Sequence, residues 1–230
     1  MTWRDFWNQD TPIYVSQRHK VLHYARIAGD IARLIPSPQA VVLDYGCGEA
    51  LSADRVAARC GRLTLCDAAP MVRERLQARF AGDARIAVLA PEDADALPDA
   101  SFDLIVANSV VQYLSLNELR ALLALARLKL KADGSLVLAD VVPPDVGPVT
   151  DAAALLSFAW KGGFLGAAAV GLARTAVSEY RRLRDELGLA QYDEAEMIEI
   201  LGDAGFSAER LPQNLGHNQA RMAFRARPLT

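Results

Sequence analysis

Residues 41–52 read VVLDYGCGEALS, and the organisation of the whole chain works outward from them. The apolar run that closes at Asp44 has the length and β-branched content of a buried strand. Gly46 and Gly48 then turn the chain sharply into a helical stretch, and the missing Cβ at each lets backbone approach a ligand closely. A second apolar run, RLTLC at 62–66, is closed by Asp67, 21 positions after Gly46. A carboxylate at that place can accept both ribose hydroxyls of an adenosine ligand. Two residues set this loop apart from a dinucleotide fingerprint. The glycine that packs helix on strand would fall at Leu51, and leucine is too large for that contact. Asp44, two places before the first glycine, would repel a pyrophosphate but suits a ligand that bears an ammonium group. The loop disfavours an NAD-dependent oxidoreductase.

Around this segment the chain alternates. Residues 18–35 carry apolar side chains at Val21, Tyr24, Ala25, Ala28, Ile31, Ala32 and Ile35, which is helical spacing, and PSP at 36–38 ends it. Short apolar runs follow at 40–45, 62–66, 85–89, 102–108 and 135–142, with amphipathic segments near 50–60, 70–80 and 116–130. Strands alternating with helices predict an α/β doubly wound, mostly parallel sheet covered on both faces. After the fifth strand the alternation stops. A Pro-rich loop spans 143–150, helices without a strand fill 151–190, and a last helix at about 193–204 precedes GFSAERL and ARMAFRAR. In the latter Met222, Phe224 and Ala226 alternate with Arg221, Ala223, Arg225 and Arg227, the period of a strand joining the sheet edge in an antiparallel hairpin. The chain reads as one domain: a helical cap (1–35), a core (36–142), a helical insertion or lid (143–192) and a closing helix and hairpin (193–230).

Composition narrows the class. The 230 residues are 52% hydrophobic and 23% charged, with a net charge of −3, an ordinary globular balance. No basic patch points to nucleic acid, and charges interleave as in RRLRDEL at 181–187, a solvated helix face. Cys47, Cys60 and Cys66 lack metal-ligand spacing and suit a reducing cytoplasm. The opening MTWRDFWNQD is not a signal peptide, and Gly162–Ala173, the longest low-charge stretch, is about half of what spans a bilayer. The expectation is a cytoplasmic protein without integral membrane association.

The glycine loop LDYGCGEA, CDAAPMVRERL after the second strand, PEDADALPDASFD, NSVVQYL after the fourth strand and LKADGSLVLAD into the fifth occur in the order of one family. On these motifs the chain resembles the class I S-adenosylmethionine-dependent methyltransferases, in the small-molecule subfamily that includes the quinone-pathway enzymes. The resemblance covers about 40–142 and 193–227. Three positions depart from it: Ala50 stands for the third glycine of the loop, Asp133 for the proline before Gly134, and the loop before Ser101 is about two residues short. The resemblance implies a Rossmann-like sheet of seven strands with a helical insertion between strands five and six. It implies S-adenosylmethionine as cofactor and methyl transfer to a small, partly apolar metabolite. By position, Asp44 and the Gly46–Cys47–Gly48 turn would hold the methionine part, and Asp67, with Ala68 beside it, the ribose. Met71 would pack on the adenine, Asp93 and the Ala94 N–H would meet its polar edge, and Asn108 would offer its carbonyl to the ammonium.

Cys47 and Cys66 flank the site, and a small buried hydrophobe is the better reading of each. His19 and His23 share a helix face, but no further ligand is identifiable and no metal is expected. Tyr14, Arg18 and His19 on the leading helix are candidates for the cofactor's carboxylate. Methyl transfer from a sulfonium needs collinear, desolvated reactants, and a general base only where the acceptor must lose a proton. His19 and Tyr113 are the leading catalytic candidates, with His23 and His217 behind them and a structural role favoured for His217. The apolar stretch 151–177, together with Trp3, Phe6 and Trp7, reads as flaps over the acceptor pocket. A non-catalytic protein that keeps the fold is the rival reading.

Overall fold

A computed structural model describes residues 7–8, 14–175 and 188–229. The leading helix α1 (Gln17–Leu34) begins at Ser16, whose hydroxyl accepts the His19 N–H at 3.1 Å. The chain then alternates through β1 (Val41–Tyr45), α2 (Ala53–Ala57), β2 (Arg62–Cys66), α3 (Pro70–Phe80), β3 (Ile86–Leu89), α4 (Pro91–Ala94) and β4 (Phe102–Asn108). A short turn at Val111–Tyr113 leads to α5 (Leu116–Lys129) and β5 (Leu130–Val141). Helices α6 (Pro148–Gly162) and α7 (Leu165–Thr175) follow, then α8 (Glu194–Asp203), β6 (Phe206–Arg210) and β7 (Met222–Pro228).

The seven strands form one sheet in the order β3-β2-β1-β4-β5-β7-β6. The first five are parallel, and β7 runs antiparallel to both β5 and β6. This is the doubly wound α/β sheet that the strand and helix periods predict, with the seven strands of the Rossmann-like sheet that the resemblance implies. Helices cover both faces, so the central strands are apolar on both sides. Along β1 and β4, Leu43 and Ile105 join the cluster under α5 and α8, while Val42, Leu104 and Val106 face the cluster under α1 and α2. The one-residue alternation of a strand divides them in this way.

Helix ends are chemically marked. Ser115 and Glu118 cap α5 reciprocally, at 3.3 and 2.9 Å, and Asp193 accepts the Glu196 N–H at 2.8 Å to start α8. Gly163, at φ +69°, closes α6 in the left-handed conformation.

Some details differ from the periodicity. Val21 is 46% exposed, while Asp30 is buried on α1. Asp30 is paired with Arg26 (2.9 Å) and Arg33, and it accepts the Gly216 N–H at 2.8 Å, so α1 turns a charged stripe toward the loop before β7. Strand β5 begins at Leu130, which pairs with Phe102, ahead of the apolar run at 135. Met222, Ala223 and Phe224 are all buried because β7 is an interior strand and β6 forms the edge. Among the described residues no helix is long and apolar enough to cross a membrane. Trp3, Phe6 and the RRLRDEL helix face lie outside the described residues.

Candidate active site

The carboxyl ends of β1, β2, β4 and β5 converge, and three of these strands have an aspartate within one residue of the end: Asp44, Asp67 and Asp140. Asp67 follows β2. Its Oδ2 accepts the Gly48 N–H at 2.9 Å and its Oδ1 the Ala69 N–H at 2.8 Å, while Arg73 holds its backbone carbonyl at 2.8 Å. Burial raises its pKa, and the two amides and Arg73 only partly offset this. The turn itself is pinned by Cys66, whose carbonyl accepts from Gly46 (2.7 Å) and Cys47 (3.1 Å). Gly46 and Gly48 sit at φ +73° and +57°. A Cβ at Gly46 would lie 2.3 Å from Val110 Cγ2, and one at Gly48 2.8 Å from the Tyr24 hydroxyl. Protein packing by itself thus favours glycine at both positions.

Asp44 is buried at the end of β1, and burial first, then the Asp67 charge, pushes its pKa up to about 7. A cation placed beside it would restore the carboxylate. Burial and the charges of Asp44 and Asp67 also push the Cys47 and Cys66 thiols up, so both are inert small side chains. At the end of β4 the Asn108 amide donates to the Ser109 hydroxyl at 3.2 Å, while its carbonyl oxygen is buried without a partner among the described residues. Gln112 Oε1 is in the same state four residues on. Buried acceptors of this kind are rare and call for a donor.

Other expected contributors lie nearby with different partners. Met71 is 39% exposed, and its N–H donates to Asn8 Oδ1 at 3.2 Å. Exposed Asp93 accepts the Ala90 N–H at 3.2 Å and so caps its own helical turn, beside buried Ala94. Arg18 is exposed and donates to the Gly162 carbonyl at the end of α6. Tyr113 sits against Trp7, ring centroids 5.5 Å apart.

Seven rings meet above the glycine loop. Tyr14 lies 5.4 Å from His19, 5.5 Å from His23 and 5.9 Å from Tyr24. Tyr24 accepts the Glu49 N–H at 3.0 Å and so reaches the loop directly. His217 stands 6.3 Å from His19 and 6.0 Å from His23, and it stacks on Phe158 at 4.7 Å; His19 stacks on Phe164 at 5.2 Å. Burial, with mutual repulsion, lowers the pKa of His19 to about 4 and of His23 to about 3; His217 is lowered by burial as well. Burial raises Tyr14 to about 12. Neutral rings therefore line this wall at physiological pH.

One feature escapes periodicity and motif spacing. Ser109 and Asp140, at the ends of β4 and β5, both have positive φ (58° and 62°), and the Ser109 hydroxyl donates to Asp140 at 2.7 Å. Arg221 bridges Asp140 (2.8 Å) and Asp151 (3.0 Å). Burial alone would lower the Arg221 pKa, but the two carboxylates outweigh it and hold the guanidinium above its ordinary value. The readable signal was Asp140 itself, which ends its strand as Asp44 and Asp67 end theirs.

Known proteins share the domain and the fold. Residues 42–134 match the family described as a methyltransferase domain. An uncharacterized methyltransferase of Mycobacterium bovis is 35% identical over 94 residues, 40% of this chain and 46% of that protein. The same holds for an uncharacterized methyltransferase of Mycobacterium tuberculosis, so the match spans about half the length of these curated relatives. Magnesium protoporphyrin IX methyltransferase from Synechocystis, solved with bound S-adenosylhomocysteine, superposes with a TM-score of 0.60 at 18% identity, over 98% of this chain and 92% of that one. The mitomycin 7-O-methyltransferase gives 0.61 at 18% identity, over 91% and 56%. Over residues 42–134 the chain is thus similar to methyltransferase domains, and over most of its length it shares the fold of these solved methyltransferases.

Proposed function

We propose that the protein transfers the methyl group of S-adenosylmethionine to a small, partly apolar molecule. The observation that carries this reading is that buried Asp44 and the partnerless Asn108 carbonyl oxygen lie at the carboxyl ends of the neighbouring strands β1 and β4, beside the glycine turn. A carboxylate and an amide oxygen make a site for an ammonium, and the cofactor carries one on its methionine part. When bound, the cofactor supplies an electrophilic methyl group on a positively charged sulfur.

The chain's own residues then have separable tasks. Asp67, held rigid by two amides, takes the ribose hydroxyls on its remaining lone pairs. Asp44 becomes fully ionised against the ammonium. The ring wall and the α6–α7 pair exclude water and give the acceptor an apolar surface, which keeps the reactants desolvated. Three free, buried cysteines suit a reducing compartment such as the cytoplasm. Titration with S-adenosylhomocysteine tests the reading. Micromolar binding is expected, and the absence of both heat and thermal shift would refute it.

A further inference from the structure

The three histidines of the ring wall are not equivalent. His19 Nδ1 accepts the Val15 N–H at 3.3 Å, so in the neutral ring the hydrogen is on Nε2. His19 can donate to an acceptor oxygen but has no nitrogen left to take a proton. His23 is ringed by Tyr14, Tyr24, His19 and His217, with no carboxylate against it. His217 differs from both. Neither of its nitrogens is hydrogen-bonded among the described residues, yet both sequence neighbours are braced: Gly216 by Asp30 of α1 (2.8 Å) and Asn218 by Asp151 of α6 (2.9 Å). The ring is fixed flat against Phe158 at an interplanar angle of 17°.

Resting on the methyltransferase reading, we propose that His217 is the proton acceptor of the transfer, and that the acceptor is an uncharged, ring-bearing compound methylated on a weakly acidic hydroxyl. The acceptor oxygen bonds the methyl carbon as the carbon–sulfur bond breaks with its electron pair left on sulfur. The hydroxyl proton passes to His217, so the positive charge moves from sulfonium to imidazolium.

The surroundings fit that charge movement. Asp140 and Asp151 favour protonated His217, while Arg221 and, from α1, Arg26 oppose it. Two carboxylates on the single Arg221 guanidinium leave one negative charge close by, which receives an imidazolium and repels an anionic acceptor. The remaining neighbours, His19 and His23, are neutral. An amine attacks through its own lone pair and gains little from a base during transfer, whereas a hydroxyl must lose its proton as the bond forms. His19 Nε2–H is the donor that would orient the oxygen.

The test uses the whole chain with labelled S-adenosylmethionine and a panel of catechol, 1-naphthol, benzylamine and benzoate. Transfer to the hydroxyl compounds alone is expected. His217→Gln should lower kcat for catechol by about 10²–10⁴-fold while S-adenosylhomocysteine affinity stays within about twofold. With 4-nitrocatechol, already ionised near neutral pH and so expected to show a raised KM, the loss in kcat at saturation should shrink below about tenfold, which a merely structural role would not produce. Equal losses on the two catechols, or transfer only to benzylamine or to none of the panel with the cofactor bound, would overturn the proposal. Failure of wild type to bind S-adenosylhomocysteine would instead overturn the methyltransferase reading. Should His217→Gln not fold, His217→Asn replaces it. Nitrogen-15 spectra of the wild-type histidines give a readout without turnover: His19 in its Nε2–H form, and a His217 nitrogen that shifts when catechol is added to the protein bound to S-adenosylhomocysteine. No shift counts against the proposal.

Discussion

The Asp67 carboxylate accepts the Gly48 N–H at 2.9 Å, so one side chain at the end of β2 fixes the turn after β1. The residue assigned to ribose recognition is therefore also a structural pin. Asp67→Ala should weaken S-adenosylhomocysteine binding by roughly 2–4 kcal/mol, since it removes charge-assisted hydrogen bonds of about 1.5–3 kcal/mol each less a desolvation offset. It should also cost about 1–3 kcal/mol of folding stability, because two loop amides lose their acceptor. Asp67→Asn should lose less on both counts. Titration calorimetry and urea denaturation separate the two effects, and binding by folded Asp67→Ala within about threefold of wild type would refute the ribose assignment.

Asp44, proposed to face the cofactor's ammonium, should make cofactor affinity depend on pH. Its folded pKa, about 7, lies above the ordinary 3.8, so the free protein carries it largely protonated below neutrality. An ammonium ligand demands the ionised form. Affinity should rise with pH between about 5 and 7 and then level off, with a proton released on binding. Stability of the free protein should run the other way. A carboxyl with a raised pKa is tolerated while protonated, and its contribution falls as pH climbs from 4 to 7, by up to about 4 kcal/mol. Asp44→Asn should flatten both profiles, which calorimetry in buffers of different ionisation enthalpy and denaturation across pH will show.

Arg221 is the keystone of the network missed by periodicity. Arg221→Ala leaves Asp140 and Asp151 without their shared cation; the pairs are partly buried, so the loss should approach but not exceed the roughly 3–5 kcal/mol of a fully buried pair. The left-handed backbone at Ser109 and Asp140 depends on the same contacts. Adding Asp140→Asn to Arg221→Ala should recover part of the loss. Denaturant midpoints of both variants measure it, and a single-variant loss under about 1 kcal/mol would show the network to be dispensable.

The helical insertion is proposed as a lid. Trp7 packs on Tyr113, and Phe158 and Phe164 of the α6–α7 region pack on the histidine wall. Cofactor binding should slow amide exchange around Trp7 and across 148–175. Protection in the free protein equal to that of β1 and β4 would mark these segments as core.

Much of the fold was readable because its signals are local. β-branched runs of strand length, glycines at one turn and acids at strand ends each lie within a few residues of what they decide. The antiparallel closing hairpin was visible in the two-residue period of 221–227. Burial of Asp30 was not visible, because it depends on Gly216, which is far away in sequence. The partners of Arg221 come from β5 and α6, and their meeting is a property of the sheet order. The surroundings of His217 were hidden for the same reason: nothing near it in the chain shows the rings that pack on it. Arg18 and Asp93, chosen by position, are held by a carbonyl and a helix cap that position alone does not reveal.

The place of β7 between β5 and β6 has a consequence for how the molecule is made. Synthesis delivers β1 to β5 first, and they can pair as they emerge, but the outer edge of β5 stays open until residues 222–228 have left the ribosome. The same late segment brings the loop with His217 to the helix that carries His19 and His23. Until then the sheet lacks its closing strand and the wall of rings lacks His217, so the last strand completes both the sheet and the ring cluster in one step.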